Sequence, residues 1–148
     1  MARTCSTVFI NKPRATVFAY VTAASHWSVW HPATVAVNGD VNRSAEVGDK
    51  IVEKIRFMGR HDLFTWVARE RTFPERWVFD GTGASGAQAK ITYTLSAQNQ
   101  GTLFERELVY TMATPFIQFL DKLFLGRRMT AESEKGLERL KQTLEAMP

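Results

Sequence analysis

The sequence predicts an α+β protein in which a curved antiparallel sheet of six to seven strands is wrapped round one long C-terminal helix. Three observations lead to this class. Residues 4–32 contain one strand and two short helical segments, residues 33–112 show period-two runs separated by turn signals, and residues 116–146 contain no proline. The 148 residues, 45% of them hydrophobic, suffice for one core. We therefore expect a single domain spanning residues 1–148.

The first elements are a strand and two short helices. The strand is predicted at residues 4–11, which are rich in β-branched side chains, and it ends before Pro13. Apolar residues between positions 17 and 21 recur at helical spacing and predict the first helix. Ser25 is the predicted N-cap of the second helix, which carries Trp27 and Trp30 on one face and stops at Pro32.

Five or six antiparallel strands are predicted after these helices. The clearest are residues 50–57, 61–73, 76–81, 89–97 and 102–112, and the connections between them are short enough for hairpins. The glycine-rich run at residues 81–86 joins two strands and opens no helix. It is therefore predicted to be a hairpin loop and not a phosphate-binding loop.

The long C-terminal helix is predicted to begin with Thr114 as N-cap and Pro115 as its first residue, and to end near residue 146. Its two apolar stripes are offset by about 100° on a helical wheel, so we expect a bend near Gly126. The stripes are Phe116, Phe119, Leu120 and Leu123 in the first half, and Leu137, Leu140 and Leu144 in the second. Small residues on the second stripe, Gly126, Ser133 and Gly136, predict free space between helix and sheet.

Composition and charge exclude several classes of protein. The formal net charge of +4 comes from 19 scattered Lys and Arg residues, so nucleic-acid binding is not expected. The single Cys5 cannot form an intramolecular disulfide, and no His or Cys spacing resembles a zinc site. We expect no metal, no cofactor and a cytoplasmic location. No window resembles a signal peptide or a membrane span, which predicts a soluble protein without stable membrane insertion.

Several local patterns occur in the order typical of one superfamily. They are VFAYV at residues 17–21, WSVWHP at residues 27–32, VGD at residues 47–49 and the long final helix, and together they span nearly the whole chain. In these patterns the chain resembles the START-like superfamily, also called SRPBCC or helix-grip proteins, and most closely its polyketide cyclase/dehydrase-type members. The resemblance implies an apolar cavity for lipids, polyketides, sterols or plant hormones, and several members have no known catalysis.

Strand parity places two opposite charges on otherwise apolar faces. Glu53 shares a face with Ile51, Ile55 and Phe57, and Arg106 shares one with Phe104, Leu108, Tyr110 and Met112. Three interpretations remain open. A slip in parity leaves both side chains solvated, the two form a buried ion pair, or Arg106 receives a carboxylate or enolate oxygen of a ligand.

Aromatic residues at period two on successive strands are candidates for either a simple core or a cavity wall. The candidate ligand-binding residues are Trp30, Ile55, Phe57, Phe64, Trp66, Trp77, Phe79, Tyr93, Phe104, Arg106, Tyr110 and Ser133. The catalytic candidates are Glu53, Arg106, Tyr110 and His31. Because His26, His31 and His61 lie on or beside loops without an evident partner, a capping or surface role is expected for them.

The segment that begins at Phe116 and ends at Leu125 is apolar on nearly every side. It is expected to be buried under the sheet edge or in a homodimer contact. The alternatives are a lid over the cavity or a surface that touches a membrane transiently.

The expected function is binding of a small hydrophobic ligand, either a lipid, a polyketide or an aromatic compound, between the sheet and the C-terminal helix. One alternative is a polyketide aromatase/cyclase-like or dehydratase-like enzyme, in which an inward Arg, Tyr or Glu stabilises an enolate and moves protons. The other is a protein-interaction module without a small-molecule ligand. The balance of these features leans against enzymatic activity.

Overall fold

The computed structural model describes residues 2–112 and 122–148. Within these ranges the elements follow the predicted order of strand, short helices, meander and long helix. They are β1 (Ala2–Ile10), α1 (Arg14–Val21), a 3-10 turn (Ala24–His26), α2 (Trp27–Trp30), β2 (Thr34–Gly39), β3 (Lys50–Phe57), β4 (Arg60–Thr72), β5 (Arg76–Gly83), β6 (Gln88–Gln98), β7 (Gly101–Thr111) and α3 (Lys122–Glu145).

The strands form one antiparallel sheet in the order β1-β7-β6-β5-β4-β3-β2. Strands β2 to β7 each pair with their sequence neighbours, whereas β1 pairs with β7, from Ala2 opposite Tyr110 to Ile10 opposite Thr102. Register shifts interrupt the ladder in β2 and in β4. Such irregularities bend the strands that carry them and increase the local twist. The predicted curved meander with its long C-terminal helix is confirmed.

The boundaries of α2 are set by backbone contacts and not by a cap. Ser25 is not the N-cap of a helix; it lies inside the 3-10 turn, and neither that turn nor α2 has a side-chain cap. Its backbone N–H donates to the carbonyl of Val41 instead (2.9 Å). Helix α2 ends at Trp30 because His31 adopts an extended conformation, as expected for a residue that precedes a proline.

Helix α3 packs its C-terminal half against β1. Leu137, Leu140 and Leu144 are each at most 1% exposed, which confirms the second apolar stripe. Polar contacts fix the same half of the helix. The Lys141 ammonium donates to the Phe9 carbonyl (2.7 Å), and the backbone N–H of Asn11 donates to the Glu145 carboxylate (2.8 Å). The end of α3 is therefore held to the sheet by both apolar and polar groups.

The small residues of α3 have different roles. A Cβ atom on Gly136 would lie 3.2 Å from Pro32 and from the Trp30 carbonyl, so this glycine permits close packing of α3 on α2 and does not leave space. A Cβ atom on Gly126 would meet nothing within 4 Å. Only Ser133 of the three borders a cavity between helix and sheet.

Several predictions for the start of the C-terminal helix lie outside the described residues. They concern the N-cap Thr114, Pro115 and the stripe of Phe116, Phe119 and Leu120, and nothing is described for the Leu123 side chain either. The bend near Gly126 stays a prediction, because it was inferred by comparing this stripe with the second one.

Candidate functional site

A cavity of about 670 Å³ lies between the sheet and helices α2 and α3. Its walls come from alternate residues of β3, β4, β6 and β7, which point to the same side of the sheet as period two requires. The residues proposed from the sequence that line it are Trp30, His31, Glu53, Ile55, Phe57, Phe64, Trp66, Tyr93, Arg106, Tyr110 and Ser133. Strand parity therefore brings most of the candidate residues to one place.

Three of the candidate ligand-binding residues are not in the cavity wall. Trp77, Phe79 and Phe104 are fully buried and belong to the core. Trp27 of α2 packs edge-on against Trp77 and Phe79, with ring centroids 6.2 and 5.7 Å apart, and so covers that part of the sheet. Phe104 packs edge-on against Tyr93 at 5.0 Å. These three residues lie on the predicted face of the sheet, but they do not border the cavity.

Glu53 is buried in the cavity wall on β3 and is 5% exposed. One carboxylate oxygen accepts a short hydrogen bond from the Thr34 hydroxyl, and the other accepts from the Trp66 indole N–H at 3.0 Å. Burial raises the pKa of Glu53 above its usual value, whereas these two hydrogen bonds and the Arg106 charge act in the opposite direction. The carboxyl group is thus removed from water yet supplied with two donors.

A capping or surface role was expected for His31, and it is the C-cap residue of α2, while its ring borders the cavity. Its Nε2 atom is 3.1 Å from Arg106 and its Nδ1 atom is 3.2 Å from the Thr34 hydroxyl. Removal from water lowers the pKa of His31 well below its usual value, and the positive charge of Arg106 lowers it further. The neutral imidazole is therefore the favoured form inside the cavity.

Arg106 is 4% exposed on β7 and projects into the cavity wall. Its two terminal nitrogens donate to Ser133 and to His31, each at 3.1 Å, and its Nε atom has no hydrogen-bond partner within the described residues. No ion pair within these ranges includes Arg106 or Glu53. Both charges are therefore buried, and neither the solvated interpretation nor the direct ion pair describes them.

The contacts between these residues have a fixed direction. A guanidinium has only donors, so the Nε2 atom of neutral His31 accepts from Arg106 and its proton resides on Nδ1. The imidazole then donates to the Thr34 hydroxyl, and that hydroxyl donates to Glu53. A chain of donors therefore runs from Arg106 to Glu53 through His31 and Thr34. We call these four residues the polar relay.

Two tyrosines complete the polar part of the wall. Burial raises the pKa of Tyr93 to about 12, although the neighbouring Arg106 favours the ionised phenol. Burial also raises the pKa of Tyr110, whose hydroxyl has no partner in the part of the chain that the structure describes. Both phenols therefore remain protonated near neutral pH and are able to donate a hydrogen bond.

Sequence reasoning missed Thr34 and Ser6. Thr34 links His31 to Glu53, and the Ser6 hydroxyl donates to Ser133 at 2.6 Å. Ser6 lies opposite Arg106 in the β1–β7 register, and Thr34 lies opposite Ile55 in the β2–β3 register. Pairing β1 with β7 would have placed Ser6 beside Arg106. No such pairing argument was open for Thr34, because the register of β2 shifts beside it.

Within residues 2–112 and 122–148, no group of three or more His, Cys, Asp or Glu side chains is placed to hold a metal ion. The same ranges contain no helix long and apolar enough to cross a membrane. Of the apolar segment from Phe116 to Leu125, only its last residues are described, and Leu125 borders the cavity. Membrane contact and dimer formation by this segment stay predictions.

A curved antiparallel sheet, a long C-terminal helix and a cavity between them define the helix-grip class of proteins. The family model described as polyketide cyclase/dehydrase and lipid transport matches residues 1–145, and the chain belongs to this family, which is of the SRPBCC type. This result confirms the resemblance drawn from the sequence.

Solved structures with the same fold have little sequence in common with this chain. TTHA0849 from Thermus thermophilus has a TM-score of 0.79 at 14% identity, with 95% of each chain covered. CV1439 from Chromobacterium violaceum has a TM-score of 0.73 at 14% identity, with 98% of each chain covered. DynU16, described as a putative protein in the dynemicin biosynthetic locus, has a TM-score of 0.69 at 15% identity over 97% of this chain and 47% of that one. The comparison with curated proteins gave no match.

Proposed function

We propose that the chain binds one small, largely hydrophobic molecule in the cavity between the sheet and α3. The observation that carries this proposal is the cavity itself, because about 670 Å³ falls within the range of roughly 300–1,000 Å³ that small-molecule pockets occupy. Its walls combine aliphatic and aromatic side chains with a few polar groups at defined places. The family description supports the proposal, since it names lipid transport beside polyketide chemistry.

Two measurements test this proposal. Native mass spectrometry of the protein purified from its host should show a bound small molecule. Titration with N-phenyl-1-naphthylamine, a neutral apolar fluorophore, should give saturable binding to the empty protein. If the purified protein contains no bound molecule and the empty protein does not bind the probe, the proposal is wrong and the protein-interaction alternative is favoured.

Two matched variants on β6 test whether the probe binds inside the cavity. Ala89→Phe adds a ring inside the cavity wall, whereas Ala97→Phe adds the same ring at an exposed position of the same strand. Probe affinity should fall at least tenfold in Ala89→Phe and remain at the wild-type value in Ala97→Phe. Equal affinities in the two variants would place the probe elsewhere and contradict the proposal.

A second candidate function is acid–base catalysis of the dehydratase type, favoured by the presence of Glu53 and His31 in the cavity wall. A carboxyl group with a raised pKa is suited to proton transfer near neutral pH. The test is dehydration of an apolar β-hydroxy ketone, followed by the ultraviolet absorbance of the enone product. Turnover in the wild type that is lost in Glu53→Gln would support catalysis, and no turnover would leave ligand binding as the function.

A further inference from the structure

The charge of Arg106 has no acidic partner in contact with it within the described residues. Its guanidinium is almost completely buried, yet the groups it contacts, Ser133, His31 and Tyr93, are all neutral. The nearest acidic group of the polar relay, Glu53, is separated from it by His31 and Thr34. A buried cation without an anion in contact is costly, and proteins therefore pair such cations or offer them to a ligand.

Arg106 borders the cavity, and its guanidinium has five N–H donors, of which Ser133 and His31 each take one. Thr34 and Trp66 already supply both oxygens of Glu53 with donors, so the carboxyl group has no need of the guanidinium. The Nε–H of Arg106 has no acceptor among residues 2–112 and 122–148. Because a guanidinium presents its N–H groups as a planar fork, a group with two oxygens in one plane fits it best.

We propose that the ligand is an amphiphilic organic acid whose carboxylate pairs with Arg106 and whose apolar body extends along the cavity toward Leu108 and Tyr110. This inference rests on the proposed ligand-binding function and adds the chemical class of the ligand. Leu108 and Tyr110 follow Arg106 on the same face of β7 and border the same cavity. At the rise of a β-strand, Tyr110 is about 13 Å from Arg106 along the wall, which matches a body of several carbons or fused rings.

The electrostatics of the wall agree with an anionic head group at this position. Burial raises the pKa of Glu53 above its usual value, and Thr34 and Trp66 already supply both of its oxygens with donors. Two other acidic side chains border the cavity, and neither forms a hydrogen bond or ion pair with Arg106 within the described residues: Asp62 accepts hydrogen bonds from Ser85, and Glu132 is on α3. The hydrogen bonds to Ser133 and His31 also hold the guanidinium in its orientation.

Matched ligands test the inference on the wild-type protein. Dissociation constants are measured for decanoate and 2-naphthoate, each beside its methyl ester, by displacement of N-phenyl-1-naphthylamine at pH 7.5. A carboxylate paired with a buried guanidinium should bind about tenfold to a hundredfold more tightly than its ester. The two acids distinguish an alkyl body from an aromatic one. An ester that binds as tightly as its acid in both pairs overturns the inference.

Three variants show where the carboxylate binds. Arg106→Met removes the charge and keeps a long apolar side chain, so the preference for acid over ester should fall to less than threefold. Arg69→Met is the control, because Arg69 is exposed outside the cavity and pairs with Asp80, and its acid preference should equal that of the wild type. If the preference persists in Arg106→Met, or is lost in Arg60→Met at the cavity border, the carboxylate binds elsewhere and the inference is wrong.

The neutral probe separates the two proposals. A wild-type protein that binds the probe and shows no acid preference retains the proposed function and loses this inference. A wild-type protein that binds neither the probe nor any acid or ester loses both.

Discussion

Substituting Gly81 by alanine tests how tightly the aromatic wall of the cavity is packed. Gly81 lies on β5 directly opposite Trp66 on β4. A Cβ atom at this position would lie 2.4 Å from two carbons of the Trp66 ring, which is far inside van der Waals contact. Because Trp66 donates to Glu53 and borders the cavity, any displacement of the ring that accepts the methyl group disturbs this hydrogen bond and the cavity wall.

The expected cost follows from three contributions. Overpacking of a filled core costs about 1–3 kcal/mol. Weakening a buried hydrogen bond to Glu53 costs roughly 1 kcal/mol more. Replacing glycine within a strand recovers about 0.5–1 kcal/mol. The net loss in the free energy of unfolding is about 2 kcal/mol, which corresponds to a fall in Tm of about 4–8 °C for a chain of 148 residues.

Urea denaturation of Gly81→Ala and Gly126→Ala makes the comparison. Gly126 lies on α3, and a Cβ atom there would have no neighbour within 4 Å, so a methyl group should raise the free energy of unfolding by about 1 kcal/mol. The two substitutions are chemically identical and should shift the urea midpoint in opposite directions at an unchanged m-value. A Gly81→Ala variant at least as stable as the wild type would refute the close packing of Trp66 on this glycine.

Three further predictions concern the core and the polar relay. Leu140→Ala should lower the free energy of unfolding by about 2–5 kcal/mol in urea denaturation, because Leu140 is fully buried; a loss below about 1 kcal/mol would contradict its place in the core. Ser133→Ala removes the acceptor of both Ser6 and Arg106 and should cost about 1–3 kcal/mol in the same assay, whereas no loss would show that water replaces these contacts. His31 has a lowered pKa in the folded state, so the unfolded state binds its proton first as the pH falls, and wild-type stability should decrease below about pH 6.5 by up to roughly 1.4 kcal/mol per pH unit. His31→Asn should flatten this slope, and an unchanged slope would refute the neutral imidazole between Arg106 and Thr34.

Much of the fold was accessible to sequence reasoning because its elements carry local signals. Strand β3 was predicted at its observed bounds, since alternation and turn residues are properties of adjacent positions. Ser25 shows where local signals fail. A serine ahead of a helical pattern favours an N-cap, but its backbone N–H found a partner in the distant Val41 carbonyl, and the side chain was not needed as a cap.

The sequence predicted which face of the sheet carries the candidate site, but not which residues of that face border the cavity. Parity correctly placed both Trp66 and Trp77 inward, but it gives no information on which of them α2 covers. The contact of His31 with Arg106 joins positions 75 residues apart, and it depends on the extended conformation of His31 and the packing of α2 on α3. Neither of these has a local signal that a single sequence displays.

The sheet topology has a consequence for the order in which the chain assembles. Strands β2 to β7 follow one another as hairpins, so their pairings close short loops and need only nearby residues. Strand β1 precedes the meander in the chain but pairs with β7, the last strand of the meander, and α3 follows β7 and packs on β1. During synthesis β1 therefore has no pairing partner until β7 has been made, and α3 follows later still. The meander is expected to form early, and β1 and α3 to dock on it together as the closing step.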